Sequence, residues 1–190
     1  EEVTEFSGRG VGMDVVKKNV ESVGGIISIT SELGKGSCTT LKIPLTLAIV
    51  DGMEISVGNS IFTIPIANIR QSFKAEKESI ILDASGNEII KCMDEFYPIV
   101  RIHDLYNIET DITNIEDGIL IWVEASDKSY CLFVDELLGE QQVVVKPLPA
   151  YLNNFNIKDS GISGCTILGD GNISIILDVM NLYLVSENQY

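Results

Sequence analysis

The chain repeats itself. Asp51-Gly52-Met53-Glu54-Ile55-Ser56-Val57, a turn, and then Ile61 to Ile66 are matched by Asp117-Gly118-Ile119-Leu120-Ile121-Trp122-Val123, a turn, and then Tyr130 to Val134. Further along each copy, Ile99-Val100-Arg101-Ile102-His103-Asp104-Leu105-Tyr106 is matched by Ile176-Leu177-Asp178-Val179-Met180-Asn181-Leu182-Tyr183. The order agrees, with a hairpin first and a strand plus short helix second. A duplicated β unit explains both likenesses and predicts two similar barrels; chance likeness between apolar strands is the competing explanation. The turn pairs Gly58-Asn59, Gly86-Asn87, Asp117-Gly118, Asp127-Lys128 and Asp170-Gly171 punctuate short strands rich in Ile, Val, Phe and Tyr, as in a sandwich or barrel.

Charge narrows the functions open to such barrels. Residues 47–190 hold 22 acidic and eight basic side chains, a net of −14, whereas residues 1–46 hold six and five. A surface that acidic repels phosphate backbones, so a nucleic-acid-binding barrel is disfavoured. No run approaches the roughly 18 apolar residues of a membrane span. Glu1 in place of Met, with no charged and apolar leader behind it, fits a piece of a longer protein without a secretory signal. Cys38, Cys92, Cys131 and Cys165 are scattered, and His103 is the single histidine, so the cysteines read as free cytosolic thiols and no metal site is expected.

Before Pro44 the pattern differs. Val11, Val15, Val16, Val20 and Val23 keep helical spacing, and Gly24-Gly25 offers a stop. Strands are predicted at Ile26–Thr30 and Thr39–Ile43. Ahead of the helix, Gly8-Arg9-Gly10-Val11-Gly12 resembles a phosphate cradle, because glycines let successive N–H groups point at one anion before a helix N-terminus. Its third glycine falls one position early for a dinucleotide fingerprint, and Gly34-Lys35-Gly36-Ser37 breaks the Walker order. By spacing alone, a plain flexible loop is an equal reading.

The succession GRGVGMDVVK, a helix ending in GG, IISITSE and GKGSCTTLKIPLTLAI resembles the end of the ATP-binding domain of the chemotaxis histidine kinase family, CheA. IPIANI, FYPIVRI, FVDELLGEQQVVVKPL and GCTILGDGNISIILDV resemble that family's regulatory domain, which is similar to the coupling protein CheW, a pair of SH3-like β-barrels. The resemblance implies a mainly β chain: a truncated α/β remnant over residues 1–45, then two SH3-like barrels over 46–190. It also implies that Gly8, Arg9, Gly10, Val11, Gly12 and Met13 close an ATP lid, with Ser37 and Thr40 beside the nucleotide. Ser37 stands where the family usually has threonine, and Arg9 either touches phosphate or is solvated. Leu45, Thr46, Leu47, Ala48 and Ile49 match the joint between kinase and regulatory domains.

In the intact parent the resemblance implies ATP and Mg as cofactors and a homodimer formed through a domain outside this sequence. The implied partners are CheW and the cytoplasmic tips of chemoreceptors, at arrays on the inner face of the membrane. No cofactor, catalytic residue or metal is expected for this stretch, because three glycines and two hydroxyls do not suffice to position ATP for in-line transfer. A free-standing CheW-like adaptor is the alternative, and the glycine box argues against it. His103 reads as a structural or surface residue in a strand-like run. Asp135, Glu136 and Glu140 read as a solvated acidic cluster, and Trp122 and Tyr130 as core or barrel-rim residues.

Overall fold

The computed structural model describes residues 12–22, 25–43, 49–148 and 160–187. The chain divides into two compact units, Glu1–Ala48 and Ile49–Tyr190. In the first, helix α1 (Met13–Ser22) precedes an antiparallel hairpin of β1 (Ile26–Glu32) and β2 (Gly36–Lys42), with Ile26 opposite Lys42. Of the helix's apolar residues only Val20 is buried, and Gly25 lies so close that an added Cβ would stand 2.8 Å from its Cγ1. Val11, Val23 and Gly24 of the predicted helix lie outside the described residues, as do residues 44–48, where the two units join.

The second unit contains β3 (Ile49–Val57), β4 (Ser60–Pro65), β5 (Ile69–Phe73), β6 (Ile80–Leu82), β7 (Glu88–Cys92), β8 (Glu95–Arg101), α2 (Ile102–Leu105), β9 (Ile119–Ala125), β10 (Lys128–Val134), β11 (Glu136–Val144), β12 (Ile162–Ile167), β13 (Ile173–Leu177) and α3 (Val179–Glu187). Its strands form a six-stranded sheet in the order β5-β9-β10-β8-β7-β6 and a five-stranded sheet in the order β11-β3-β4-β13-β12. The repeat is visible as two hairpins, β3–β4 and β9–β10, and two strand-helix units, β8–α2 and β13–α3. The second hairpin turns at Ser126-Asp127, one residue ahead of the predicted pair, with Ser126 at φ 55°.

The copies do not fold separately. The first hairpin is paired in parallel, through β4, with β13 of the second copy; the second hairpin is paired in parallel, through β10, with β8 of the first. Each sheet therefore mixes both halves of the sequence. Aromatic contacts join the halves the other way: Tyr106, just after α2, stacks on Phe62 of β4 at 5.7 Å, and Tyr183 of α3 packs on Tyr130 of β10 at 5.3 Å. These two ring pairs each lie within one copy, whereas the parallel strand pairs join the copies, so neither copy can withdraw without breaking a sheet.

The core explains why the second hairpin lacks an alternating pattern. Ile121, Val123, Tyr130, Leu132 and Val134 face a cluster shared with Ile55, Phe62, Ile64, Leu177 and Leu182. The intervening Leu120, Cys131 and Phe133 face a second cluster with Ile90, Ile99 and Ile115. A strand buried on both faces needs apolar residues at successive positions, which gives the run Tyr130-Cys131-Leu132-Phe133-Val134. Burial raises the Tyr130 and Tyr106 phenols far above their ordinary range, and both are fixed as donors, to Val179 O at 2.6 Å and Ser160 O at 2.7 Å.

The Asp-Gly pair that opens each copy also has a steric cause. A Cβ at Gly52 would fall 2.2 Å from Thr63 Cγ2, and one at Gly118 would fall 2.5 Å from the Phe133 ring. Both glycines admit a side chain from the partner strand of the hairpin. Gly118→Ala should lower unfolding stability by about 1–3 kcal/mol, the usual cost of overpacking, measured by denaturant titration. An unchanged midpoint would show that the ring moves aside freely.

Candidate docking surface

The expected ATP-side residues are placed only in part. Gly8, Arg9, Gly10 and Val11 lie outside the described residues; Gly12 precedes α1, where its carbonyl accepts from Val16 N at 3.2 Å, and Met13 opens the helix. Ser37 and Thr40 are both exposed on β2. Three apart on a strand, they project to opposite faces. Ser37 hydrogen-bonds the Ser31 hydroxyl across the hairpin at 2.8 Å, and Thr40 lies opposite Ser28. Among the described residues, no three His, Cys, Asp or Glu side chains are grouped to hold a metal. Of the expected joint, Leu45, Thr46, Leu47 and Ala48 lie outside the described residues, and Ile49 opens β3 opposite Val144.

Other expectations are corrected. His103 lies in α2, not in a strand, and is buried with its ring edge-on to Phe133 at 5.9 Å. The acidic cluster is not uniformly solvated, because Asp135 is 8% exposed whereas Glu136 and Glu140 are exposed. Its carboxylate accepts from Gly58 N at 2.7 Å and from the Thr110 hydroxyl at 2.6 Å, tying the first hairpin's turn to the end of β10. Sequence reading missed this clamp because both partners are more than 20 residues away. Tyr130 and Trp122 stand as expected: Tyr130 is fully buried in the core, and Trp122 is half-buried at its margin, packed on Tyr97 at 5.0 Å.

The second unit carries exposed apolar side chains on both sheets. In the six-stranded sheet, Ile81, Leu82, Met93 and Phe96 are exposed on β6 and around the β7–β8 turn. In the five-stranded sheet, Ile167 and Ile173 are exposed on β12 and β13. Carrying the repeat back three residues from Ile99 and Ile176 makes Phe96 and Ile173 equivalent. They are 53% and 63% exposed, opposite Lys91 and Ile167 respectively. Ile81 and Leu82 lie on β6, the edge strand of the six-stranded sheet, whereas β12 is bridged at Cys165 to Lys146 through two backbone hydrogen bonds of 2.8 and 3.0 Å. An edge strand with apolar neighbours is a ready template for association.

A family model described as the CheW-like domain matches residues 51–185. The chain belongs to the CheW-like domain family. Its fold matches the scaffolding protein TtCheW of Thermoanaerobacter tengcongensis, with a TM-score of 0.55 at 16% identity over 67% of this chain and 88% of that one. The two sheets are thus the SH3-like barrel pair of the CheW fold. Beyond the CheW-like domain, the whole chain is 38% identical to the chemotaxis protein CheA of Klebsiella aerogenes, covering 28% of it. It is 36% identical to CheA of Bacillus subtilis over 94% of the chain and 26% of that protein. The sensor histidine kinase CheAY of Helicobacter pylori is 37% identical over 93% of the chain and 21% of its own length. The chain thus spans about a quarter of the curated relatives it matches. Among the described residues, no helix is long and apolar enough to cross a membrane.

The barrels of this CheW-like domain differ inside. The six-stranded barrel holds an apolar cluster, whereas the inner face of the five-stranded sheet carries a buried polar row of Glu54, Thr63, Ser174 and Thr166. Thr63 and Ser174 satisfy each other at 2.7 Å. Glu54 accepts from Gln141 at 3.3 Å through one carboxylate oxygen, and its other oxygen is buried without a partner. Burial, and secondarily the Asp170 carboxylate, raise Glu54 above its ordinary value of 4.5. The folded state therefore holds this proton more tightly than the unfolded chain, so stability falls as pH rises through the window above 4.5. Glu54→Gln should be more stable than the parent by about 1 kcal/mol at neutral pH. The gap should close on acidification, read as melting temperature against pH; a pH-independent difference would contradict it.

Proposed function

We propose that this chain is the regulatory and coupling region of a chemotaxis histidine kinase, docking CheW and chemoreceptor tips to control ATP-dependent histidine phosphorylation and phosphotransfer to response regulators. The observation that carries this reading is the extent of the likeness. CheA of Klebsiella aerogenes aligns with 100% of the chain, including the α/β unit, whereas the CheW-like match covers residues 51–185. A free-standing adaptor would have no use for residues 1–48. The intact parent would work at receptor arrays on the inner face of the membrane. It would dimerise through a domain outside this sequence and use ATP with Mg through residues upstream together with Gly8, Arg9, Gly10, Val11, Gly12, Met13, Ser37 and Thr40.

The repeat-equivalent patches give docking a physical form. A protein with two similar barrels can present the apolar tip at Phe96 to one neighbour and the apolar tip at Ile173 to another. Contacts between unlike patches close into rings or extend into arrays. Control would pass through the joint at Leu45–Ile49, where a shift of the CheW-like unit biases the lid ending at Gly12.

In the intact parent, Phe96→Ser and Ile173→Ser should each weaken capture by the coupling protein about tenfold or more, as for loss of an interface anchor. They should also reduce receptor control of phosphorylation while leaving basal autophosphorylation in place. Receptor control that survives both substitutions would overturn the docking assignment. The chain by itself is expected neither to bind ATP nor to phosphorylate itself, and a saturable calorimetric titration with MgATP would refute that.

A further inference from the structure

Behind the turn of the first hairpin lies a cleft of about 530 Å³ whose lining includes Gly58, Glu109, Thr110, Asp111, Asp135 and Glu136. Four of these six are carboxylates, and none of the four is in an ion pair among the described residues. Asp135 is the unusual one of the four. Only 8% exposed, it uses Oδ2 for Gly58 N and the Thr110 hydroxyl, while Oδ1 is buried with no hydrogen-bond donor. Buried polar atoms are nearly always satisfied, so an orphaned carboxylate oxygen among three further carboxylates calls for a cationic donor.

The geometry decides which cation. No three acidic, imidazole or thiol side chains among the described residues are grouped as metal ligands, and the cleft is far larger than a bare ion. A guanidinium suits it better: it is planar, carries several N–H donors in a fixed fork, and is weakly hydrated enough to enter a partly buried site. The clamp already holds the cleft in shape, because Thr110 Oγ also accepts from Ile112 N at 3.1 Å while donating to Asp135. The walls come from three separate segments, the β3–β4 turn, the connection between α2 and β9, and the β10–β11 junction, so the site exists only in the folded unit.

We propose that this cleft receives an arginine side chain from a protein partner, with Asp135 as the buried acceptor and Glu109, Asp111 and Glu136 as the surrounding carboxylates. The inference rests on the reading of the chain as a docking module and adds the chemistry of one contact. Its lining includes neither Phe96 nor Ile173, so the contact is distinct from the apolar patches.

The test is a titration of the isotope-labelled 190-residue chain with acetyl-Gly-Arg-Gly-amide, followed by amide chemical shifts. Saturable shifts centred on Gly58, Thr110 and Ile112 are expected, with weaker ones from acetyl-Gly-Lys-Gly-amide at matched ionic strength. Neutralising the exposed wall with Glu109→Gln, Asp111→Asn and Glu136→Gln should weaken the arginine response about tenfold or more. Asp135→Asn, which keeps an acceptor for Gly58, should weaken it further. If that variant fails to fold, the exposed triple variant still decides. Equal effects from the lysine peptide or sodium chloride would mean diffuse charge screening and overturn the site. So would a response unchanged in the triple variant, or saturation of the same amides by calcium chloride, which would make it a metal site. The titration leaves the apolar patches untouched, so its failure is distinguishable from failure of the docking reading, which shows in the Phe96 and Ile173 variants.

Discussion

The CheW-like unit depends on one hairpin with two buried faces. Strands β9 and β10 present Ile121, Val123, Tyr130, Leu132 and Val134 to the core between the sheets, and Leu120, Cys131 and Phe133 to the interior of the six-stranded barrel. Two cores therefore share one pair of strands. Disturbing the hairpin opens both, which makes cooperative behaviour of the two barrels a consequence of packing rather than of any added link. The same sharing suits a regulatory body, because a load applied at one barrel reaches the other through rigid, close-packed strands.

The interleaving of the repeat reinforces this. Parallel pairing of β4 with β13 and of β8 with β10 crosses between the copies, while Phe62–Tyr106 and Tyr130–Tyr183 hold each copy together. At the β10–β11 junction the chain passes from one sheet to the other within a single residue, Asp135, whose N–H donates to Ser56 O at 3.0 Å. A carboxylate at that crossing, clamped to Gly58 and Thr110, fixes the hairpin turn of one barrel against the strand end of the other. The exposed apolar residues at the two hairpin tips are then held by a stiff frame.

Among the described residues, the α/β unit is a helix and one hairpin. Ser37 and Thr40 point to opposite faces of β2, and Met13, Val15, Ile26, Ile29 and Leu41 are exposed.

The sequence by itself determined the elements and the family. Its hairpin repeat, its turn pairs and the motifs from GRGVGMDVVK to GCTILGDGNISIILDV depend on local backbone preference and on side-chain order, which are written along the chain. It also marked Gly52 and Gly118 as special without saying why. The tertiary structure decided which strands pair, since parallel pairing joins residues more than 30 apart and hydrophobic pattern is blind to partner. It moved His103 into a buried helix and Asp135 from an apparently solvated cluster into a clamp, because burial is set by what packs on a residue from distant segments. It also made Phe96 and Ile173 a matched pair of exposed tips, because only three dimensions show which apolar residues within strand patterns are left uncovered.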